Sequence, residues 1–120
     1  MGYIPPVKIV DESAGVDKTT GWIWLGPDTV GGYSFHVEDG GNTGAIKIHV
    51  SNDPRCFNAS STATVDSVEI TSDLTITDPG GSSSDQMINV SNVRHQYVQY
   101  EWDNASGTDA HVVYFAATSN

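Results

Sequence analysis

The stretch His95-Gln-Tyr-Val-Gln-Tyr-Glu-Trp-Asp103 decides the fold class of this 120-residue chain. Its apolar and polar side chains alternate, with Val98, Tyr100 and Trp102 set against Gln99, Glu101 and Asp103. Because successive strand residues point to opposite faces, this period of two predicts a β-strand with one buried face. A run of turn formers, 104–109, and a second β-rich run, 110–118, follow it. We therefore predict a long antiparallel hairpin.

Similar patterns occur in the rest of the chain. Two alternating runs, Tyr33–Val37 and Ala45–Val50, flank the glycine-rich segment Asp39–Gly44 and predict a second hairpin. Shorter runs predict strands at 7–10, 19–25, 65–70, 74–76 and 87–90. No apolar period of three to four residues is long enough for a helix. About eight or nine short strands in one domain predict an all-β antiparallel β-sandwich with jelly-roll-like topology.

The N-terminal segment differs from these strands. Two prolines fix φ and lack backbone donors, which predicts an extended arm over residues 1–6 before a single domain over 7–120. The strand predicted at 19–25 is apolar on both faces, so it needs cover from the core on one side and from a loop, arm or neighbouring chain on the other. We predict that residues of the arm and of this strand bind a partner, namely Tyr3, Ile4, Pro5, Pro6, Trp22 and Trp24.

Composition limits the kinds of partner. Fifteen acidic and five basic residues give a formal net charge of −10, which repels phosphate backbones and anionic lipids. We therefore expect neither a nucleic-acid nor a membrane partner. The N-terminal residues lack the basic and apolar regions of a secretory signal. The single Cys56 cannot form an internal disulfide and is predicted to pack as a small apolar side chain.

The sequence lacks the common catalytic motifs. We find no Gly-X-Ser-X-Gly, no phosphate-binding glycine loop and no paired zinc ligands, so we expect no catalytic residue, cofactor or metal. Two weaker alternatives are a metal shared by His36 and His49 on the second hairpin, and a calcium ion in the 103–109 loop. Turn formation explains that loop better. Trp22, Trp24 and Trp102 could also form a sugar-stacking platform, although the position of Trp102 beside Val98 and Tyr100 favours the core.

Two segments carry a resemblance: Gly44-Ala-Ile-Lys-Ile-His-Val-Ser-Asn-Asp53, and Val93–Trp102 followed by Ser106-Gly-Thr. They resemble small β-sandwich virion proteins of tailed bacteriophages, especially capsid decoration (cement) proteins and tail-associated proteins. The resemblance spans roughly residues 32–118. It implies a non-enzymatic structural protein, bound in many copies to the outer capsid surface of a phage head, which it stabilises.

The same resemblance implies a major capsid protein or another virion protein as partner, and a homo-oligomer, most often a trimer. The alternative is a carbohydrate- or receptor-binding β-sandwich module of a tail or host-adhesion component, which requires exposed aromatic side chains near loops. A hydrolase with an unrecognised site is a third, weaker alternative.

Overall fold

A computed structural model of the chain describes residues 4–26 and 30–119. Its nine strands are β1 Ile4–Glu12, β2 Lys18–Thr19, β3 Ile23–Trp24, β4 Val30–Asp39, β5 Thr43–Ser51, β6 Val68–Glu69, β7 Ser84–Ser91, β8 Tyr97–Ser106 and β9 His111–Ser119. Two single 3-10 turns lie at Pro54–Cys56 and Thr71–Asp73. Within these ranges no helix is long and apolar enough to cross a membrane.

The strands form two antiparallel sheets. Sheet A has the order β1-β9-β4-β7, and sheet B has the order β2-β8-β5-β6, with β3 also paired to β8. This is the strand order of a jelly roll, a double-sheet fold built from two Greek keys. The predicted all-β sandwich is therefore confirmed. Short connections join β4 to β5 and β8 to β9, so these inner strands of the two sheets face each other. The outer strands follow: β1 faces the β2/β3 edge, and β7 faces the β6 edge.

Both predicted hairpins are wrong in their pairing. β4 and β5 lie in different sheets, and so do β8 and β9. β8 pairs instead with β5, and β9 pairs with β1 and β4. Alternation identifies the buried face of a strand but not its neighbour, and a short turn can lead either to the adjacent strand or across the core. At each of these turns the chain passes from one sheet to the other across the top of the core.

Three smaller expectations also need correction. The strand predicted over 19–25 is interrupted, because β2 and β3 pair separately with β8. The strand predicted at 65–70 is reduced to the two residues of β6, and residues 74–76 form no strand.

The arm predicted over residues 1–6 differs from the structure from Ile4 onward. Ile4 pairs with Ala117, and Pro5 and Pro6 lie in β1 at a register shift between Ile4 and Val7. Proline is tolerated there because β1 is an edge strand and its pairing with β9 is irregular at this point.

The core lies between the two sheets and contains the inward rows that alternation predicted. Phe35, Phe115 and Tyr100 meet at its centre, with ring centroids of Phe35 at 5.3 Å from Phe115 and 5.5 Å from Tyr100. The predicted inward residues are buried: Tyr33, Phe35, Val37, Ile46, Ile48, Val50, Val98, Tyr100 and Trp102. Cys56 is also buried, as predicted.

Gly44 is a sharp test of this packing. A Cβ at this position would lie 2.3 Å from the backbone oxygen of Asp103 and 2.5 Å from Cη2 of Trp102. We expect Gly44→Ala to lower the free energy of unfolding by about 1–3 kcal/mol, measured by urea denaturation. Gly80→Ala is the matched control, because nothing lies within 4 Å of its added Cβ. Equal midpoints for the two variants would contradict the packing described here.

Candidate functional site

A buried polar cluster joins the two turns that cross the core. The carboxylate of Asp39, at the end of β4, accepts hydrogen bonds from the backbone N–H of Gly41 at 3.0 Å and of Asn42 at 2.7 Å. The Asn42 side chain reaches the other turn, where its Nδ2 donates to the Asp109 carbonyl and its Oδ1 accepts from the Asp109 N–H, both at 2.9 Å. The β4–β5 and β8–β9 turns are thus locked together.

His111 extends this cluster into the core. Its Nδ1 lies 2.7 Å from Oδ2 of Asp39, and its Nε2 lies 2.8 Å from the hydroxyl of Tyr100. Burial raises the pKa of the Tyr100 hydroxyl well above its usual range, so the hydroxyl donates to Nε2. A neutral imidazole that donates from Nδ1 to Asp39 satisfies both contacts. The Trp102 indole stacks on the ring with centroids 4.0 Å apart and planes 7° apart.

The cluster has the components of an acid–base relay, but its side chains are not accessible to a substrate. Asp39 is 2 % exposed, and His111 and Tyr100 are both fully buried. A substrate cannot reach these atoms, so we assign the cluster to structure. The cluster was not predicted from the sequence, although His111 shares the parity of Val113 and Phe115, whose side chains point inward.

The two metal alternatives are not supported by the geometry. His36 and His49 lie on different sheets, where His36 is 3.8 Å from Asp85 and His49 is 2.8 Å from Glu101. The predicted 103–109 loop is part strand, because residues 103–106 belong to β8; there the Asp103 carboxylate lies 2.9 Å from Nζ of Lys47, and the backbone N–H of Asp109 donates to Asn42. Within residues 4–26 and 30–119, no group of three or more His, Cys, Asp or Glu side chains could hold a metal ion.

The register brings most of the predicted partner-binding residues to one corner of the sandwich. Ile4 pairs with Ala117 and Trp24 with Tyr97, and both pairs lie at the end opposite the Asp39–His111 cluster. We call this surface the docking corner and define it by Ile4–Val7, Trp22 and Trp24. Ile4 packs against the core and Trp22 is half-buried. Tyr3 lies outside the described residues.

The docking corner presents apolar side chains to solvent. Trp24 is 48 % exposed and Val7 is 46 % exposed, and both prolines beside Val7 are exposed. Trp102, the third tryptophan of the proposed sugar platform, is fully buried. The three tryptophans therefore form no common platform.

A concave surface lies on the outer face of sheet A, and we call it the outer trough. Its volume is about 440 Å³, and it is lined by side chains from all four strands: Pro6, Ser34, His36, Glu38, Met87, Tyr114 and Ala116. An adjoining part of about 260 Å³ is lined by the small residues Gly32 and Ser34 and by Asn89. Its polar groups could bind hydroxyls. The Tyr114 ring is less available for stacking on a ligand, because its centroid lies 5.8 Å from that of the His36 ring and Nζ of Lys8 lies over it at 5.8 Å.

Comparison of the chain with protein-family models, with curated proteins and with solved structures gives no match in any of the three.

Proposed function

We propose that this chain is a non-enzymatic structural protein of a virion, a capsid decoration or cement protein that binds the outer surface of a phage head. In this proposal its partner is the major capsid protein or another virion protein, and the chain binds as a homo-oligomer, with a trimer favoured. The observation that carries the proposal is the docking corner, where Trp24, Val7 and the two prolines form an exposed apolar surface at the edge of the sandwich.

The physical properties of the corner suit docking on an assembly. Aromatic side chains are favoured anchors in interfaces, and prolines lose little conformational entropy when they are buried by a partner. The same prolines prevent β1 from pairing indiscriminately with other strands. The jelly roll also occurs in capsid proteins, which adds an analogy at the level of the fold only. A net charge of −10 favours an outer surface over contact with packaged nucleic acid.

A surface substitution tests this better than deletion of residues 1–6, because the deletion would also remove Ile4 from the core. We expect Trp24→Glu to fold normally and to weaken retention on purified particles about tenfold, through loss of an interface anchor. Particles would be purified by density gradient from cells that express the viral genome encoding this chain. The bound copies would then be counted by quantitative immunoblot and electron microscopy.

Val16→Glu is the matched control for that experiment. Val16 is 46 % exposed and follows Gly15, which packs on Gly107 at the opposite end of the sandwich. Retention of Trp24→Glu equal to that of Val16→Glu would remove the docking corner from the proposal. Particles that lack the wild-type chain, together with a monomer by light scattering, would refute the virion proposal itself.

The outer trough favours a second candidate, a carbohydrate- or receptor-binding module. Ser34, His36, Glu38 and Asn89 place hydroxyl, imidazole, carboxylate and amide groups around an open concave surface. A glycan array separates the two candidates. Ser34→Trp should fill the trough and abolish saturable glycan binding. If it does so, and if the chain is absent from particles, the binding module would replace the virion proposal.

A further inference from the structure

Over residues 4–26 and 30–119 the two sheets have four edges, and three of them are protected against strand addition. β1 carries Pro5, Pro6 and Lys8 and has register shifts at two places. β2 and β3, on the facing edge of sheet B, are two residues each, and β6 at the other edge of that sheet is also two residues. Proline, lysine, bulges and short strands are the means by which β-proteins prevent pairing with other chains.

β7, the fourth edge, lacks these devices. It runs for eight residues without proline or lysine. Its pairing with β4 is continuous from Gly32↔Ser91 to Asp39↔Ser84 with no register shift. In the described part of the chain β7 pairs only with β4. Since an antiparallel strand directs its N–H and C=O groups alternately to both sides, the other side of β7 offers a row of main-chain donors and acceptors.

A groove of about 400 Å³ lies beside this free edge. Its walls are β7 residues from Met87 to Ser91 on one side and residues 70–75 on the other, with His95 beside them. Ile70 and Leu74 are partly buried and pack against the core, so they offer an apolar wall.

One end of the edge is already paired. The Gln86 side chain accepts from the Thr77 N–H at 3.0 Å and donates to the Thr77 carbonyl at 2.6 Å. The amide of Gln86 thus takes the place of a neighbouring strand at this point. The stretch that remains, Met87–Ser91, is about 17 Å long at roughly 3.3 Å per residue.

We propose that the Met87–Ser91 edge binds an extended, basic peptide segment of a partner protein by β-strand addition. An unpaired strand edge is matched by another strand, whose main chain supplies the complementary hydrogen bonds. Charge selects a basic segment, because Asp73 lines the groove, Asp85 lies on β7 and the chain carries a net charge of −10. The same charge disfavours β7 of a second copy as the occupant.

Three synthetic peptides test the proposal on the full chain. The probe is a fluorescein-labelled hexapeptide of alternating lysine and valine. One matched peptide has glutamate in place of lysine, and the other carries N-methyl groups on alternate residues, which removes hydrogen-bond donors without a change of charge. We expect saturable binding of the probe by fluorescence anisotropy, and at least about tenfold weaker binding of each matched peptide.

The location is checked by amide chemical shifts and by two variants. Shifts on binding should be confined to β7 and to residues 70–76. Met87→Lys adds an edge lysine and should weaken binding about tenfold. Val16→Lys makes the same charge change at a similarly exposed site outside both the groove and the docking corner, and should leave binding within about twofold.

Several results would overturn the proposal. These are equal binding of the N-methylated peptide, shifts centred on another edge, and equal effects of Met87→Lys and Val16→Lys. Absence of saturable binding at millimolar peptide would do the same. A dimer that Met87→Lys dissociates, seen by sedimentation equilibrium, would assign the edge to a second copy instead of a partner peptide.

Discussion

Trp102→Ala is expected to lower the free energy of unfolding by about 3–5 kcal/mol, a large part of the roughly 5–15 kcal/mol available to a domain of this kind. The side chain is fully buried in the core cluster. It also covers one face of the His111 ring at 4.0 Å, and an alanine would leave a cavity beside the buried polar cluster. Urea denaturation followed by circular dichroism measures the shift.

Two variants show whether the loss comes from packing. Nε1 of Trp102 is buried and has no hydrogen-bond partner among the described residues, so the indole N–H contributes an unfavourable desolvation. Trp102→Phe keeps an aromatic ring over His111 and removes that N–H, and should therefore be less destabilising than alanine. Trp24→Ala, at a half-exposed site, should cost less than about 1.5 kcal/mol. Equal midpoints for Trp102→Ala and Trp24→Ala would contradict the packing described here.

The sequence predicted the buried face of each long strand because that information is local. Alternation in Tyr33–Val37 and in Val98–Trp102 reflects the two-residue period of one strand, whatever its neighbours are. Pairing is not local. Glycine-rich turns of similar composition lead to hairpins or to sheet crossings, and the crossing here depends on Asn42 and Asp109, which are 67 residues apart.

The candidate sites were predictable to different degrees. The residues of the docking corner were predictable in part, because the alternation leaves the apolar residues Pro5–Val7 and Trp24 without a place in the core. Their proximity was not predictable, because it depends on the register of β1 with β9 and of β3 with β8. The free edge of β7 could not be predicted. An edge strand is defined by the absence of a neighbour, and Met87–Val90 alternates as an internal strand would.

Asp39→Ala is expected to cost about 3–5 kcal/mol, because it leaves several buried hydrogen-bond donors without an acceptor, at about 1–3 kcal/mol for each donor that stays unsatisfied. The substitution removes the acceptor of four hydrogen bonds, from Nδ1 of His111, from the backbone N–H groups of Gly41 and Asn42, and from Nδ2 of Asn42. Asp11→Ala is the control, since that exposed carboxylate lies 3.5 Å from Lys8 and should contribute less than about 1 kcal/mol. Comparable losses in the two variants would show that the Asp39 cluster does not lock the turns.

The same cluster should make the protein less stable in acid. Burial raises the pKa of Asp39, but hydrogen bonds from His111, Gly41 and Asn42 outweigh it, and the pKa is lowered. Burial lowers the pKa of His111 more than Asp39 raises it. Both folded values lie below the unfolded ones, so the unfolded chain binds more protons in acid. The free energy of unfolding should therefore fall as pH decreases below about 6.5 for His111, and again below about 3.8 for Asp39.

A histidine variant locates the source of this acid sensitivity. The pKa of His95 is also lowered by burial, so its contribution has the same sign. His111→Gln should consequently reduce, without abolishing, the loss of stability between pH 7.5 and 5.0 in urea denaturation. A wild-type protein that becomes more stable over this range would show that relief of repulsion among its acidic groups outweighs the histidines, and would contradict the prediction.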